Sequence, residues 1–189
     1  MMSCTPSPAS FWGYNLRQNL AGSFTARARG LFAPEFVLLG PDGEEFGRLR
    51  LGGIADAQFR AESFVVAFET SGRCYSMAVD GREILAAHPK GHSADELEIF
   101  CDGRTYEAQI SPFRNLALAS QPGGQKIARL SGGLTGRSYE ARFAAEDRCA
   151  LPMAVFLLWR IVATRRHAYR AGGAMKSIPE KLAPRCITG

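Results

Sequence analysis

Between residues 31 and 145, apolar and polar side chains alternate with a period of two, as they do in strands with one buried face. Over 104–110, Tyr106, Ala108 and Ile110 share one face and Glu107 and Gln109 the other. Over 137–144, Tyr139, Ala141 and Phe143 oppose Glu140 and Arg142. Leu49 and Leu51 oppose Arg48 and Arg50, and Tyr75, Met77 and Val79 line up in the same way. Turn signals separate these runs. Pro41-Asp42-Gly43 is one, and Asp80-Gly81 and Asp102-Gly103 stand between apolar-rich runs, the strongest short hairpin signal. Glycine-rich stretches at 121–126 and 130–136 add two more. The pattern predicts about 10–12 short antiparallel strands with one polar face. The Asp-Gly intervals are unequal, which excludes a propeller or solenoid period.

The pattern changes at CALPMAVFLLWRIVATRRHAYR, residues 149–170. Residues Ala150 to Trp159 carry no charge, Arg160 interrupts, and Ile161, Val162 and Ala163 follow. A membrane span needs ~20 apolar residues, and an arginine within one is costly. The stretch therefore predicts a buried helix near 151–169. Pro152 suits a first turn, Glu146 and Asp147 precede the positive end of the dipole, and Arg165, Arg166 and Arg170 follow at the negative end. Met153, Phe156, Leu157 and Trp159, with Val155 and Leu158 between them, leave no polar face. Such a helix must be surrounded. The available host is a barrel too wide for its own side chains to fill. The expected fold is mainly β within the α+β class: a closed antiparallel barrel enclosing one hydrophobic C-terminal helix. Residues 1–10 read as a disordered lead-in, 11–170 as a single barrel domain, and 171–189 as a flexible basic tail.

This layout resembles the tubby C-terminal-like superfamily, which includes the LURP-one-related proteins and the phospholipid scramblases. The resemblance is closest to small bacterial members. It rests on the Asp-Gly hairpins at 42–43, 80–81 and 102–103, on SYEARF at 138–143, and on EDRCALPMAVFLLWRI at 146–161. It spans roughly residues 12–170. It implies a barrel wrapped around a central helix, and association with lipid. There are departures. The place of the scramblases' acidic calcium segment holds only Glu146 and Asp147, and Arg48, Arg50, Arg104 and Arg137 form no cluster in the sequence. No binding residue is carried over from the superfamily.

Charge sharpens the picture. The net charge is +5, yet residues 150–189 hold seven of the 23 Lys and Arg and only one of the 18 acids, Glu180. The body is close to neutral and the C-terminal part basic. A protein gripping nucleic acid over its folded face would show the reverse, so no nucleic-acid partner is expected. The first ten residues lack the features of a secretory signal, which makes the cytoplasm the default location. Five widely spaced cysteines, without a CxxC pair, argue for reduced thiols over a disulfide framework or zinc site.

Candidate chemistry is sparse. His88 and His92, with Asp95 and Glu96 nearby, have the composition of a metal site, and a metal-dependent enzyme built on them is one reading. Pro89 and Gly91 break any helix that would align them, so a polar loop is the preferred one. His167 lies among arginines with no acid to orient it. No phosphate loop or dinucleotide fingerprint occurs. Phe11, Trp12 and Tyr14 read as a plug at one end of the barrel. No catalytic residue, cofactor or metal ligand is assigned. The expected function is a non-enzymatic binding module. Its partner is an anionic membrane surface, through anionic lipid or phosphoinositide-like head groups, or an unknown protein, and Arg165, Arg166 and Arg170 are the contact candidates, peripheral to the membrane without a span. The alternative is a scramblase-like or apolar-ligand-holding protein whose helix touches lipid.

Overall fold

The computed structural model describes Leu16 and residues 19–30, 35–52, 56–91 and 93–171, with side chains as far as Arg166. The alternating runs become strands β1 (Ser23–Arg29), β2 (Glu35–Leu39), β3 (Glu45–Leu51), β4 (Ala57–Ala61), β5 (Val65–Ser71) and β6 (Cys74–Val79). They continue as β7 (Arg82–Pro89), β8 (Glu96–Cys101), β9 (Arg104–Ser111), β10 (Leu116–Ser120), β11 (Lys126–Gly132) and β12 (Ser138–Phe143). Each strand pairs antiparallel with its neighbours in sequence. The meander closes where β1 pairs with β12, Phe24 opposite Ala141 and Ala26 opposite Tyr139. A closed sheet leaves no edge with unpaired backbone groups.

The hairpin chemistry is local. At Asp80-Gly81 the φ angles are 50° and 75°, and at Asp102-Gly103 they are 51° and 72°. A two-residue turn that matches strand twist needs two left-handed residues, which Asp tolerates and Gly adopts freely.

Helix α1 (Ala150–Ala171) runs through the barrel. Every residue from Ala150 to Val162 is buried, and the helix emerges at Ala163. At 1.5 Å per residue the buried part is roughly 20 Å long. Met153, Phe156, Leu157 and Trp159 all lie in the core. Fully burying such side chains stabilises by ~1.5–3 kcal/mol each.

The helix does not sit centrally. It packs chiefly on β10, β11 and β12, and less on β9 and β3. The wall beneath it is built from small side chains. Ala128 faces Ala119, and Ala119 faces Ala108, a row of alanines across three strands. Ala117 and Ala141 flank this row, and all five are buried. The opposite wall carries Phe59, Phe68, Met77 and Leu85. Trp159 spans the gap, its ring centroid 5.0 Å from Phe68 and 6.1 Å from Tyr75. Small residues let the helix backbone approach one wall, and large ones fill the space left at the other. This complementarity is what close packing demands.

The outward positions are polar. Arg27, Arg48, Arg50, Gln58, Gln109, Arg129, Glu140 and Arg142 are all exposed. No helix among the described residues is long and apolar enough to cross a membrane. Cys101 and Cys149 are free thiols. Cys74 is disulfide-bonded, so the expectation of reduced thiols fails at that position.

Candidate functional site

In a meander, successive turns lie at alternate ends of the barrel. That alternation sorts the charges. The turns at one end carry Asp42, Glu44, Glu62, Asp80 and Asp102, and the segment entering α1 adds Glu146 and Asp147. The turns at the other end carry Arg73, Lys90, Arg114 and Arg137, joined by Arg165 and Arg166 where α1 emerges. Arg148, with Arg82, Arg104 and Lys126 at the adjoining strand starts, runs against the trend at the first end, as do Asp56 and Asp95, with Glu35 and Glu96 at the strand starts, at the second. The polarity follows the helix dipole, with acids at its positive end and cations at its negative end.

At the acidic end, Asp147 launches the helix. Its Oδ1 accepts the Cys149 N–H at 2.8 Å, and both carboxylate oxygens lie 3.2 Å from the donating Tyr106 hydroxyl. Arg104 Nη1 stands 3.7 Å away. The Cys149 thiol donates to the Cys101 carbonyl at 3.3 Å. The contact between the two thiols pulls Cys149 below the ordinary thiol range and, with burial, pushes Cys101 above it. Burial, chiefly, holds the Tyr106 phenol above its ordinary value. Both thiols are buried, so the cluster acts as a helix start. A recess of about 810 Å³ opens at the same end beside Leu20, Asp42, Phe46, Glu62 and Phe64. Its described lining holds no histidine or cysteine.

The basic end is more tightly built. The β9–β10 connection is a single 3-10 turn, Pro112–Arg114, closed by Asn115 in the left-handed conformation at φ 50°. Buried Asn115 then joins this connection to the β11–β12 turn. Its Nδ2 donates to the Gly133 carbonyl at 2.6 Å, and its carbonyl accepts the Gly132 N–H at 2.7 Å. Arg165 brings in the helix. Its guanidinium donates to Asn115 Oδ1 and, at 3.4 Å, to the Leu134 carbonyl. Gly136, at φ 65°, lies against the Arg165 guanidinium, where a Cβ would collide with it. Arg137 Nη2 donates to the Gly30 carbonyl at 3.2 Å.

On this braced platform stand two apolar side chains. Phe113 is 97% exposed and Leu134 98%. The other exposed large apolar residues among those described, Val65 and Phe100, are only 37% and 36% exposed. Beneath the rim, Arg160 is 8% exposed, with its guanidinium carbon 3.6 Å from the Tyr75 ring centroid. Its Nε has no hydrogen-bond partner among the described residues. Desolvation lowers its pKa from the ordinary arginine value, opposed by Tyr75 and Asp95.

The structure places the sequence candidates as follows. Arg165 and Arg166 lie at the basic rim, half-buried, and Arg165 braces the turns as well as carrying charge. The side chains of Arg170 and His167 lie outside the described residues, as do His92, Phe11, Trp12 and Tyr14. Arg48, paired with Glu45, and Arg104, near Asp147, belong to the acidic end. Arg50 faces Glu35 across the outer wall. His88 is not in a loop: β7 continues through it because its pairing with β8 persists to Pro89 and Leu97. Its Nε2 lies 3.3 Å from Glu98 Oε2, and its ring centroid 5.4 Å from that of Phe100. Asp95 and Glu96 stand at the start of β8. No group of three or more His, Cys, Asp or Glu with metal-binding geometry occurs among the described residues. The sequence reading missed Phe113 and Leu134. Their signal was an apolar residue inside a turn, in PFRN and in GGLTG, where alternation assigns it no inner face.

The fold and its ends define the class: a closed, antiparallel twelve-stranded meander barrel threaded by one C-terminal helix. The chain is similar to the X-ray structure of a protein from Arabidopsis thaliana, AT5G01750, with a TM-score of 0.51 at 12% identity. The match covers 74% of this chain and 91% of that one, and at this identity it speaks for the fold alone. No protein-family model and no curated protein matches the sequence.

Proposed function

We propose that this protein is a non-enzymatic, cytoplasmic binding module that docks by its basic end on an anionic membrane surface, peripheral to the membrane. The observation that carries the reading is the segregation of charge. Arg73, Arg114, Arg137, Arg165 and Arg166 gather at one end, while the acidic turns lie at the other. A cation near an anionic leaflet contributes ~1 kcal/mol, and a polarised molecule is also oriented as it approaches. The resemblance of the sequence to the tubby C-terminal-like superfamily supports the same reading. The likeness to the Arabidopsis structure is consistent with it at the level of fold. The alternative, in which α1 leaves the barrel for lipid, gains no support from a helix buried from Ala150 to Val162.

The test is co-sedimentation with phosphatidylserine-containing vesicles across a salt series. Binding at low salt that weakens as salt rises is the expected result. Arg114→Glu with Arg166→Glu should abolish it, and charge reversal at Asp80 and Asp102 should not. Absence of wild-type binding at low salt refutes the proposal.

A further inference from the structure

Charge explains attraction to a surface, but not why the same end exposes Phe113 and Leu134. We infer that these two side chains are wedges that enter the acyl boundary of an anionic bilayer, while the surrounding arginines hold the phosphates. The inference rests on the basic-end reading and deepens it.

Three observations combine. First, both side chains are almost wholly exposed, on turns at the same end. Second, their backbones are fixed. Asn115 bonds Gly133, and Arg165 bonds both Asn115 and the Leu134 carbonyl, so hydrogen bonds tie the two turns to the helix end. A rigid apolar tip loses little entropy on insertion. Third, cations adjoin each tip: Arg114 follows Phe113, Arg137 follows the Leu134 turn, and Arg165 lies between the turns. Apolar groups ringed by basic ones match the layering of a membrane surface, with phosphate outside and hydrocarbon within.

A protein partner fits less well. Protein-binding patches are typically contiguous and depleted of charge at their centre. Here two almost wholly exposed apolar side chains stand on different turns, with Arg165 bonded to both turns. Bilayer is therefore the occupant the chemistry favours, and it sets an orientation: the last turns of α1 point at the membrane and the acidic end points away.

The experiment is flotation of the full chain with phosphatidylcholine vesicles, with and without phosphatidylserine. Wild type is compared with Phe113→Ser/Leu134→Ser and with Leu134→Trp. The serine variant removes exposed groups only, so its urea midpoint and circular dichroism should match wild type. Removing two interfacial apolar side chains should weaken partitioning by about tenfold or more. Leu134→Trp should bind more tightly, since indole favours the interface, and its emission should shift to the blue on binding. If wild type floats with anionic vesicles and the serine variant floats equally, the wedge inference fails while the electrostatic reading stands. If wild type ignores anionic vesicles, both fail.

Discussion

Asp147 offers the sharpest test of how the barrel and helix are joined. Asp147→Ala removes the acceptor for the Cys149 N–H, a capping loss of ~1 kcal/mol. It also takes the carboxylate acceptor from the Tyr106 hydroxyl, whose residue is fully buried, leaving it the weaker Cys149 thiol and the Arg104 guanidinium, at ~1–3 kcal/mol. The Arg104 contact adds well under ~1 kcal/mol, because that side chain is 61% exposed. The sum is about 2–4 kcal/mol, and 3 kcal/mol lowers Tm by roughly 6–12 °C in a chain of this length. Tyr106→Phe alone should cost ~1–2 kcal/mol. The double variant should then cost at least ~1 kcal/mol less than the sum, because the hydroxyl–carboxylate contact is lost only once. Urea unfolding followed by tryptophan emission measures all three. An Asp147→Ala loss below ~0.5 kcal/mol, or a strictly additive double variant, would refute the reasoning.

Tyr106 also predicts an alkaline limb. Its folded pKa is raised above the ordinary 10.0, so its contribution is complete below pH 10 and declines as pH rises towards the folded value. Tyr106→Phe should therefore lose less stability than wild type above that pH, read from urea midpoints. Gly136→Ala must adopt φ 65° and push Cβ into the Arg165 guanidinium. A loss of ~1–3 kcal/mol is expected by thermal unfolding, and less in an Arg165→Ala background. Ala119→Leu overfills the small-residue wall and should cost ~1–3 kcal/mol in urea unfolding, where Gln109→Leu on the outer wall should cost under ~0.5 kcal/mol. Arg160→Met keeps packing on Tyr75 and removes a buried guanidinium whose Nε has no hydrogen-bond partner among the described residues. Its unfolding free energy should equal or exceed wild type's, as often holds when a buried charge gives way to a well-packed apolar group.

Much of the barrel was legible in the sequence, because each signal was local. Tyr106, Ala108 and Ile110 face inward as their alternation requires, and Asp80-Gly81 turns left-handed as a tight hairpin demands. Trp159 and Phe156 are buried because a helix without a polar face must be. The rest depends on pairing, which local patterns do not contain. The row Ala108, Ala119 and Ala128 is three unremarkable alanines until the register lines them up beneath the helix. Asp80 and Arg73 look like neighbouring charges until the meander sends their turns to opposite ends. The arginines after the helix were visible as charge, but not Arg165's bond to Asn115, fifty residues away in sequence. His88 was misread as loop because Pro89 broke the helical pattern, whereas pairing with β8 carries β7 through His88 to Pro89, opposite Leu97.

The order of elements along the chain sets a constraint on folding. Closure pairs β1 with β12, and the filling of the barrel, α1, comes after every strand. During synthesis the alanine-lined wall would have nothing to pack on until the helix leaves the ribosome. A nascent sheet would therefore wait with an open seam and apolar faces exposed, the state in which chains are most prone to aggregate. Folding of this protein should be late and concerted, dependent on the helix as a template around which the sheet shuts.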